Sequence, residues 1–438
     1  MSRGPREPIS APRGLTSREA EGLQILAAGV VDLRRDIHGF VTYVQERGLV
    51  RTVRSNAIPK TDARRLAKAL SYAGESEAVE EEGQGFWSDY VSRLARRMGL
   101  VSFEVKGIYA GYSSREESFP DNAIQVDSAA WDAYLAMTPL QKEAALLDAL
   151  IDETPNEFFE PATLIGGNRF DRWGSATGPA SRMELAEIRR SLLGFLASLE
   201  PDVLYDVGDL VARLESRHRN LILDPAARGP DAESKQRLQR WEWARKKGPR
   251  PEVVLEDPYV NFLERRPGET RREGRRIDSN APDAFHRVEG RYLEWFLCEV
   301  PYLAGFVELA FRPVTDRHGL DVEPSLEGLR GVRLTPKLFQ VLGRDPAFDR
   351  VRVTVLPNRE VVVEAPSYPE RIVATLAGYT EVLGKEGPVT RLSISRKKVV
   401  EQAAQGARPL LDILAELSGA PVHQNVASEI EAWSGHGQ

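Results

Sequence analysis

Cysteine is nearly missing from the sequence. Cys298 stands without a partner in the apolar run YLEWFLCEV, which excludes an intrachain disulfide and any zinc site built on paired cysteines. Histidine is scarce as well: His38, His218, His286, His318, His423 and His436 are scattered, with no His-Glu-x-x-His pair to hold a metal on one helical face. A phosphate-cradling loop, G-x-x-x-x-G-K-[ST], is not found. Such a loop needs backbone N–H groups and a lysine converging on the phosphates, and the nearest glycine pairs, GIYAGY and GKEGPV, lack the lysine-hydroxyl ending. There is no G-x-S-x-G nucleophile elbow, and Cys298, inside an apolar pattern, reads as an inert core residue. These absences predict no cofactor, no metal and no catalytic residue.

Long hydrophobic runs are also wanting. The best membrane-span candidate, YLEWFLCEVPYLAGFVELAF, is interrupted by Glu294, Glu299, Pro301 and Glu308, and the start MSRGPREPISAPRG has no apolar stretch of signal-peptide length. The expectation is a soluble, cytoplasmic protein with no membrane partner. A length of 438 residues suggests two to four domains. The net charge of −6 repels phosphate overall, so any attraction to nucleic acid must come from local basic patches.

The pattern along the chain predicts an α+β fold. A Pro-, Gly- and Arg-rich leader (1–15) precedes Thr16-x-x-Glu19, a capping box expected to open a helix through LQILAAGVV. In DLRRDIHGFVTYVQERGLV, Leu33, Ile37, Phe40, Val41 and Val44 share a helical face. A branched apolar pair follows a glycine three times, at Gly48-Leu49-Val50, Gly99-Leu100-Val101 and Gly305-Phe306-Val307. In each place a helix ends, a strand begins, and a polar segment returns toward another helix. That order fits the later part of a winged-helix domain, and predicts tandem winged-helix-like units at 16–75, 86–150 and 281–343. An ordinary α+β arrangement with glycine C-caps fits the same pattern. The acidic ESEAVEEEGQG reads as a linker, 151–224 as a helical region, and 225–280 as a basic polar linker.

Over 348–438, VRVTVLP, a turn at Asn358-Arg359, and EVVVEAP predict a hairpin. A helix is expected over YPERIVATLAGYTEVLG, then a strand VTRLSIS. Three further helices follow, the first between Ser395 as N-cap and Gly406 as C-cap. The residues themselves resemble the helicase-associated domain related to the N-terminal domain of the xeroderma-pigmentosum group B helicase family. The resemblance rests on Leu356-Pro357-Asn358, Val361 to Val363 and Glu364-Ala365-Pro366, and on Ser395 and Gly406. It continues through Leu410, Leu411, Leu414 and Leu417, Ser418-Gly419-x-Pro421, Asn425-Val426, and Glu431-x-Trp433. Where that family often has a second proline, this chain has His423 and Gln424. No helicase motor accompanies the module. The resemblance implies a non-catalytic, DNA-binding accessory or adaptor subunit of a bacterial repair or phage-defence complex, with a helicase, ATPase or nuclease as partner. The alternative is a protein scaffold whose winged helices bind a partner ATPase rather than DNA.

Three clusters are candidates for contact with DNA, duplex or single-stranded. Arg51, Arg54, Lys60, Arg64, Arg65 and Lys68 fall within RTVRSNAIPKTDARRLAKA, with Arg64 and Lys68 on one helical face. Lys246, Lys247, Arg250, Arg265, Arg266, Arg271, Arg272, Arg275 and Arg276 are interleaved with Trp241, Trp243, Tyr259 and Phe262, a mixture suited to single strands. Arg396, Lys397 and Lys398, with Arg391 nearby, open a helix, where cations oppose the helix dipole unless an outside anion is supplied. A solvated basic face or a basic linker would carry the same residues.

Overall fold

Thr16 and Glu19 do close reciprocal capping bonds, yet the helix they open is only Ser17–Ala20. The segment expected to extend it turns instead into a strand, Gln24–Leu26, paired antiparallel with Val307–Phe311. A computed structural model describes residues 13–72, 74–83, 85–109, 117–153, 170–172, 183–218, 221, 229–244, 246–260, 262–264, 275–315, 321–322 and 328–435. It is an α+β protein with several small antiparallel sheets. The described residues fall into two compact units, drawn from Gly29–Glu153 with Phe339–Gln438 and from Met1–Ala28 with Thr154–Leu338. No helix among them is long and apolar enough to cross a membrane.

In the unit holding Gly29–Glu153, the helix Leu33–Arg47 buries Leu33, Ile37, Phe40, Val41 and Val44, as their spacing requires. It packs on helix Phe86–Arg97, which contributes Trp87, Tyr90, Val91 and Leu94 to the same core. Between them lie helices Lys60–Ala69 and Glu75–Glu82. The acidic stretch read as a linker is therefore helical, and it is anchored: the fully buried Glu75 carboxylate accepts from Trp87 N and Ser88 N at 3.0 and 2.9 Å, capping the next helix. Val50 bridges Ala123, and Val101 pairs with Val126, so segments 49–51 and 101–102 flank the returning strand. Residues 16–75 and 86–150 are thus not two units. From Leu33 onward they share one core, because the strand after the first helix and the strand after the last both need 122–126 as partner.

The unit holding Thr154–Leu338 repeats this order. Helix Leu185–Ala197, strand Leu204–Asp206 and helix Val207–His218 are followed, after an insertion, by helix Arg291–Cys298. Strand Val307–Phe311, the hairpin Val314–Thr315 with Asp321–Val322, and strand Leu329–Leu334 complete it. Leu329–Leu334 again sits between the other two strands, giving the order Gln24–Leu26, Val307–Phe311, Leu329–Leu334, Leu204–Asp206. The unit expected at 281–343 therefore takes its first helices and one strand from the segment expected to be only helical. Gly48, Gly99 and Gly305 all have positive φ (68°, 76° and 71°), the conformation that ends each helix and favours glycine.

In the C-terminal part, Arg352–Val355 and Glu360–Glu364 form the expected hairpin within a four-stranded sheet completed by Val389–Ile394 and Thr380–Glu386. The helix expected through Gly384 stops at Leu376, because Thr380–Glu386 finds a strand partner in Val389–Ile394. Helices Arg396–Ala404, Leu410–Ser418 and Gln424–Gly435 cover the sheet, burying Val399, Ile413, Leu414, Val426 and Ile430 against Val361, Val363 and Leu392. Ser395 occupies the N-cap position, without a capping bond from its side chain.

A charged cluster is buried in the unit that contains this sheet. The Arg34 guanidinium donates to Glu370, Ser367, the Glu143 carboxylate at 3.2 Å, Pro139 O at 3.3 Å and Tyr368 O at 2.7 Å. Lys142 Nζ lies 3.4 Å from Glu370, and the Tyr134 hydroxyl donates to Glu370 at 3.3 Å. Two cations and two carboxylates cancel, and every Arg34 donor finds an oxygen.

A neighbouring carboxylate is less comfortable. Asp36, fully buried, accepts from Ser71 N, Ser71 Oγ and Trp87 Nε1 at 2.7, 2.7 and 2.8 Å, with no cation bonded to it among the described residues. Burial pushes its pKa up from 3.8 to about 6, against those three hydrogen bonds. A raised carboxyl contributes stability that is present below pH 4 and lost as the pH rises through 6, a change of about 3 kcal/mol. The stability of Asp36→Asn relative to wild type is therefore expected to improve from pH 4 to pH 7. A difference that stays flat in denaturant titrations across that range would contradict it.

Candidate nucleic-acid interface

The three candidate clusters fare differently once folded. Arg51 is not at the surface: it is 4% exposed, ion-paired with Asp89, bonded to Asn56 O at 2.8 Å and Ser92 Oγ at 3.0 Å, and lies over the Phe103 ring at 4.4 Å. Its role is to fasten the 49–51 segment to helix Phe86–Arg97. Lys60, Arg64 and Lys68 do form one exposed row on helix Lys60–Ala69, four residues apart. Facing them, however, is helix Glu75–Glu82. Arg64 makes a two-pronged ion pair with Glu80 at 2.6 and 2.7 Å, and Lys60 Nζ donates to Glu80 O at 3.3 Å. The Arg64 hydrogen bond holds the Glu80 carboxyl below its ordinary pKa, with help from the nearby charges of Lys60 and Lys68. Arg65 lies 3.4 Å from Asp62. Of this cluster, Arg54 and Lys68 are exposed with no ion pair among the described residues.

At the start of helix Arg396–Ala404, Lys398 Nζ is spent on Ala377 O and Thr380 O at 2.9 and 2.7 Å, and Lys397 reaches Glu401 at 3.9 Å. Arg396 alone faces water there without an ion pair among the described residues.

The remaining cluster is not a linker but a folded lobe, inserted between helices Val207–His218 and Arg291–Cys298. Asp231 caps helix Ala232–Trp243 by accepting from Ser234 N at 2.6 Å. The returning segment locks it: Asp231 N donates to Val254 O at 2.8 Å, Val254 N to the buried Ser234 Oγ at 2.9 Å, and Lys235 pairs with Glu256. At the other end, Trp241 Nε1 donates to Gly248 O at 3.1 Å and Lys246 lies 6.0 Å above the Trp241 ring. These contacts set residues 246–250 beside the helix end.

Trp243 projects from that end and is 81% exposed. Lys246, Lys247 and Arg250 are exposed and have no carboxylate partner among the described residues. The stretch RLQRWEWARKKGPR, 237–250, carries six cations and one carboxylate within a chain of net charge −6. Arg275 and Arg276 form a separate short strand paired with Leu263–Glu264, while Arg265, Arg266, Arg271 and Arg272 lie outside the described residues. Arg240, Gln236 and Gln239 went unrecognised as site residues. Once 232–243 is read as a helix, the spacings of three, four and seven from Trp243 put them on its face.

A cationic turn beside an exposed indole can bind phosphates at one end and a flat ring at the other. The chain matches no family model, and no curated protein matches it significantly.

Proposed function

We propose that this chain is a non-catalytic accessory or adaptor subunit that binds nucleic acid, working beside a separate helicase, ATPase or nuclease in bacterial DNA repair or phage defence. The observation that carries the binding is the 246–250 turn of the 229–256 lobe, where Lys246, Lys247 and Arg250 are exposed, close in sequence and without a carboxylate partner among the described residues. The residues of the C-terminal domain that resemble the helicase-associated family support the link to DNA transactions.

The order of helices and strands in the two repeated units is compatible with winged helices. The helix preceding the hairpin, which such a domain would lay in a DNA groove, is largely buried in the second of them: Arg291, Tyr292, Leu293, Trp295, Phe296, Leu297 and Cys298 all lie inside. In the first, the basic face of Lys60–Ala69 is met by acidic Glu75–Glu82. Both facts favour a protein-contacting role for the units themselves, leaving the nucleic acid to the lobe.

Fluorescence anisotropy with a labelled oligonucleotide tests the reading. Each phosphate neutralised contributes a log–log salt slope of about −0.7 to −0.9, so contacts by Lys246, Lys247 and Arg250 predict a slope near −2 to −3. A complex indifferent to salt, or none at low salt, would sink the proposal.

A further inference from the structure

We propose that the lobe is selective for single-stranded over duplex nucleic acid, stacking one base on Trp243. This rests on the nucleic-acid-binding role proposed for the lobe and adds the form of the ligand to it.

An indole left 81% exposed at the end of an otherwise well-tied lobe forgoes a large apolar contact unless something flat covers it. Its neighbour is already engaged, since Trp241 holds Gly248 O through its ring nitrogen and carries Lys246 over its face. One ring is thus free for stacking. In a duplex the base faces are stacked on one another, so an exposed indole gains nothing from duplex phosphates. In a single strand each base presents a face, and stacking on an aromatic side chain is the main sequence-tolerant source of affinity.

The surroundings suit the same ligand. Gln236, Gln239 and Arg240 share the helical face of Trp243 and are exposed, offering amide and guanidinium groups to base edges. Lys246, Lys247 and Arg250 follow at the turn, where the backbone of a strand leaving the ring would pass. An anionic lipid surface also attracts tryptophan with lysine, but it requires an apolar helix face. Helix Ala232–Trp243 presents glutamines, Glu233 and Glu242 to solvent instead.

The test uses the full chain, a fluorescein-labelled 20-nucleotide oligo-dT, a 20-base-pair duplex and vesicles of phosphatidylcholine with phosphatidylserine. Oligo-dT is expected to bind at least tenfold more tightly than duplex. Trp243→Ala is expected to weaken oligo-dT binding by about 5- to 50-fold, Trp243→Phe to retain most of it, and duplex binding to stay within twofold in both. Because Trp243 is exposed, thermal unfolding of both variants should match wild type. Equal affinity for the two nucleic acids, or no loss in Trp243→Ala, overturns single-strand selectivity while leaving nucleic-acid binding intact. Binding to neither nucleic acid overturns the underlying function, and vesicle binding lost in Trp243→Ala would then assign the lobe to lipid.

Discussion

Glu370→Ala is expected to destabilise the unit that contains it by about 3–5 kcal/mol, the range found when one partner of a buried ion pair is removed. Glu370 is fully buried, and its two oxygens serve Arg34, Lys142 and the Tyr134 hydroxyl together. Without it, two cations face the single carboxylate of Glu143 in a site where Arg34, Lys142 and Glu143 are each about 2% exposed. Hydrophobic replacement of both ends should cost less than either single change, because no charge is then stranded. Arg34→Met with Glu370→Leu is therefore expected to show a coupling of a few kcal/mol relative to the sum of the single variants.

The pH dependence has a definite sign. Burial by itself would raise the Glu370 carboxyl, but the charges and hydrogen bonds of Arg34, and the charge of Lys142, hold it below the usual value. A depressed carboxyl stabilises above its unfolded value and loses that contribution as the pH falls through the folded one. The gap between wild type and Glu370→Gln should accordingly narrow below about pH 4. Denaturant titration of these variants beside wild type decides: additive losses for Arg34→Met and Glu370→Leu, or a loss under about 1 kcal/mol for Glu370→Ala, would mean that the cluster contributes little.

What could be read from the residues was what local chemistry decides. The helix–glycine–strand junctions at Gly48, Gly99 and Gly305 and the hairpin at Asn358-Arg359 depend on neighbours in sequence, and they stand as read. Gln24–Leu26 was misread because its strand partner, Val307–Phe311, lies almost 300 residues away, and without that edge the same residues fit a helical period. Arg51 illustrates the limit for sites. A cation between Val50 and Thr52 in an extended stretch looks solvated, and only Asp89 and Ser92, on the third helix after it, draw it inside. The Arg34 cluster left no sequence signal either, since its members come from three segments and each has an ordinary polar neighbourhood. The Trp241–Arg250 run was legible as chemistry and illegible as structure. Helix Ala232–Trp243 buries only Ser234, so it lacks the apolar stripe by which helices are recognised.

The same distinction between chemistry and pairing leads to the largest expected effect on binding. Lys246→Glu with Lys247→Glu and Arg250→Glu is expected to weaken nucleic-acid affinity about a hundredfold or more near 0.1 M salt, and to flatten the salt slope by about 2 to 3, one unit or slightly less for each phosphate no longer neutralised. Neutralising the first patch with Arg64→Ala, Arg65→Ala and Lys68→Ala should change affinity no more than about twofold, the scale of an exposed ion pair. The contrast follows from what each cation faces. Arg64 has Glu80 in two-pronged contact and Arg65 has Asp62, so a phosphate would have to displace a carboxylate already in place. Lys246, Lys247 and Arg250 have no such competitor among the described residues, and an incoming phosphate gains the whole interaction. The reverse order, with the Arg64 variant losing binding and the lobe variant keeping it, would place the nucleic acid on helix Lys60–Ala69 and make Glu80 a competitor for that surface. Removing that competitor with Glu80→Gln would then tighten binding, whereas with the lobe as the contact it should leave binding unchanged.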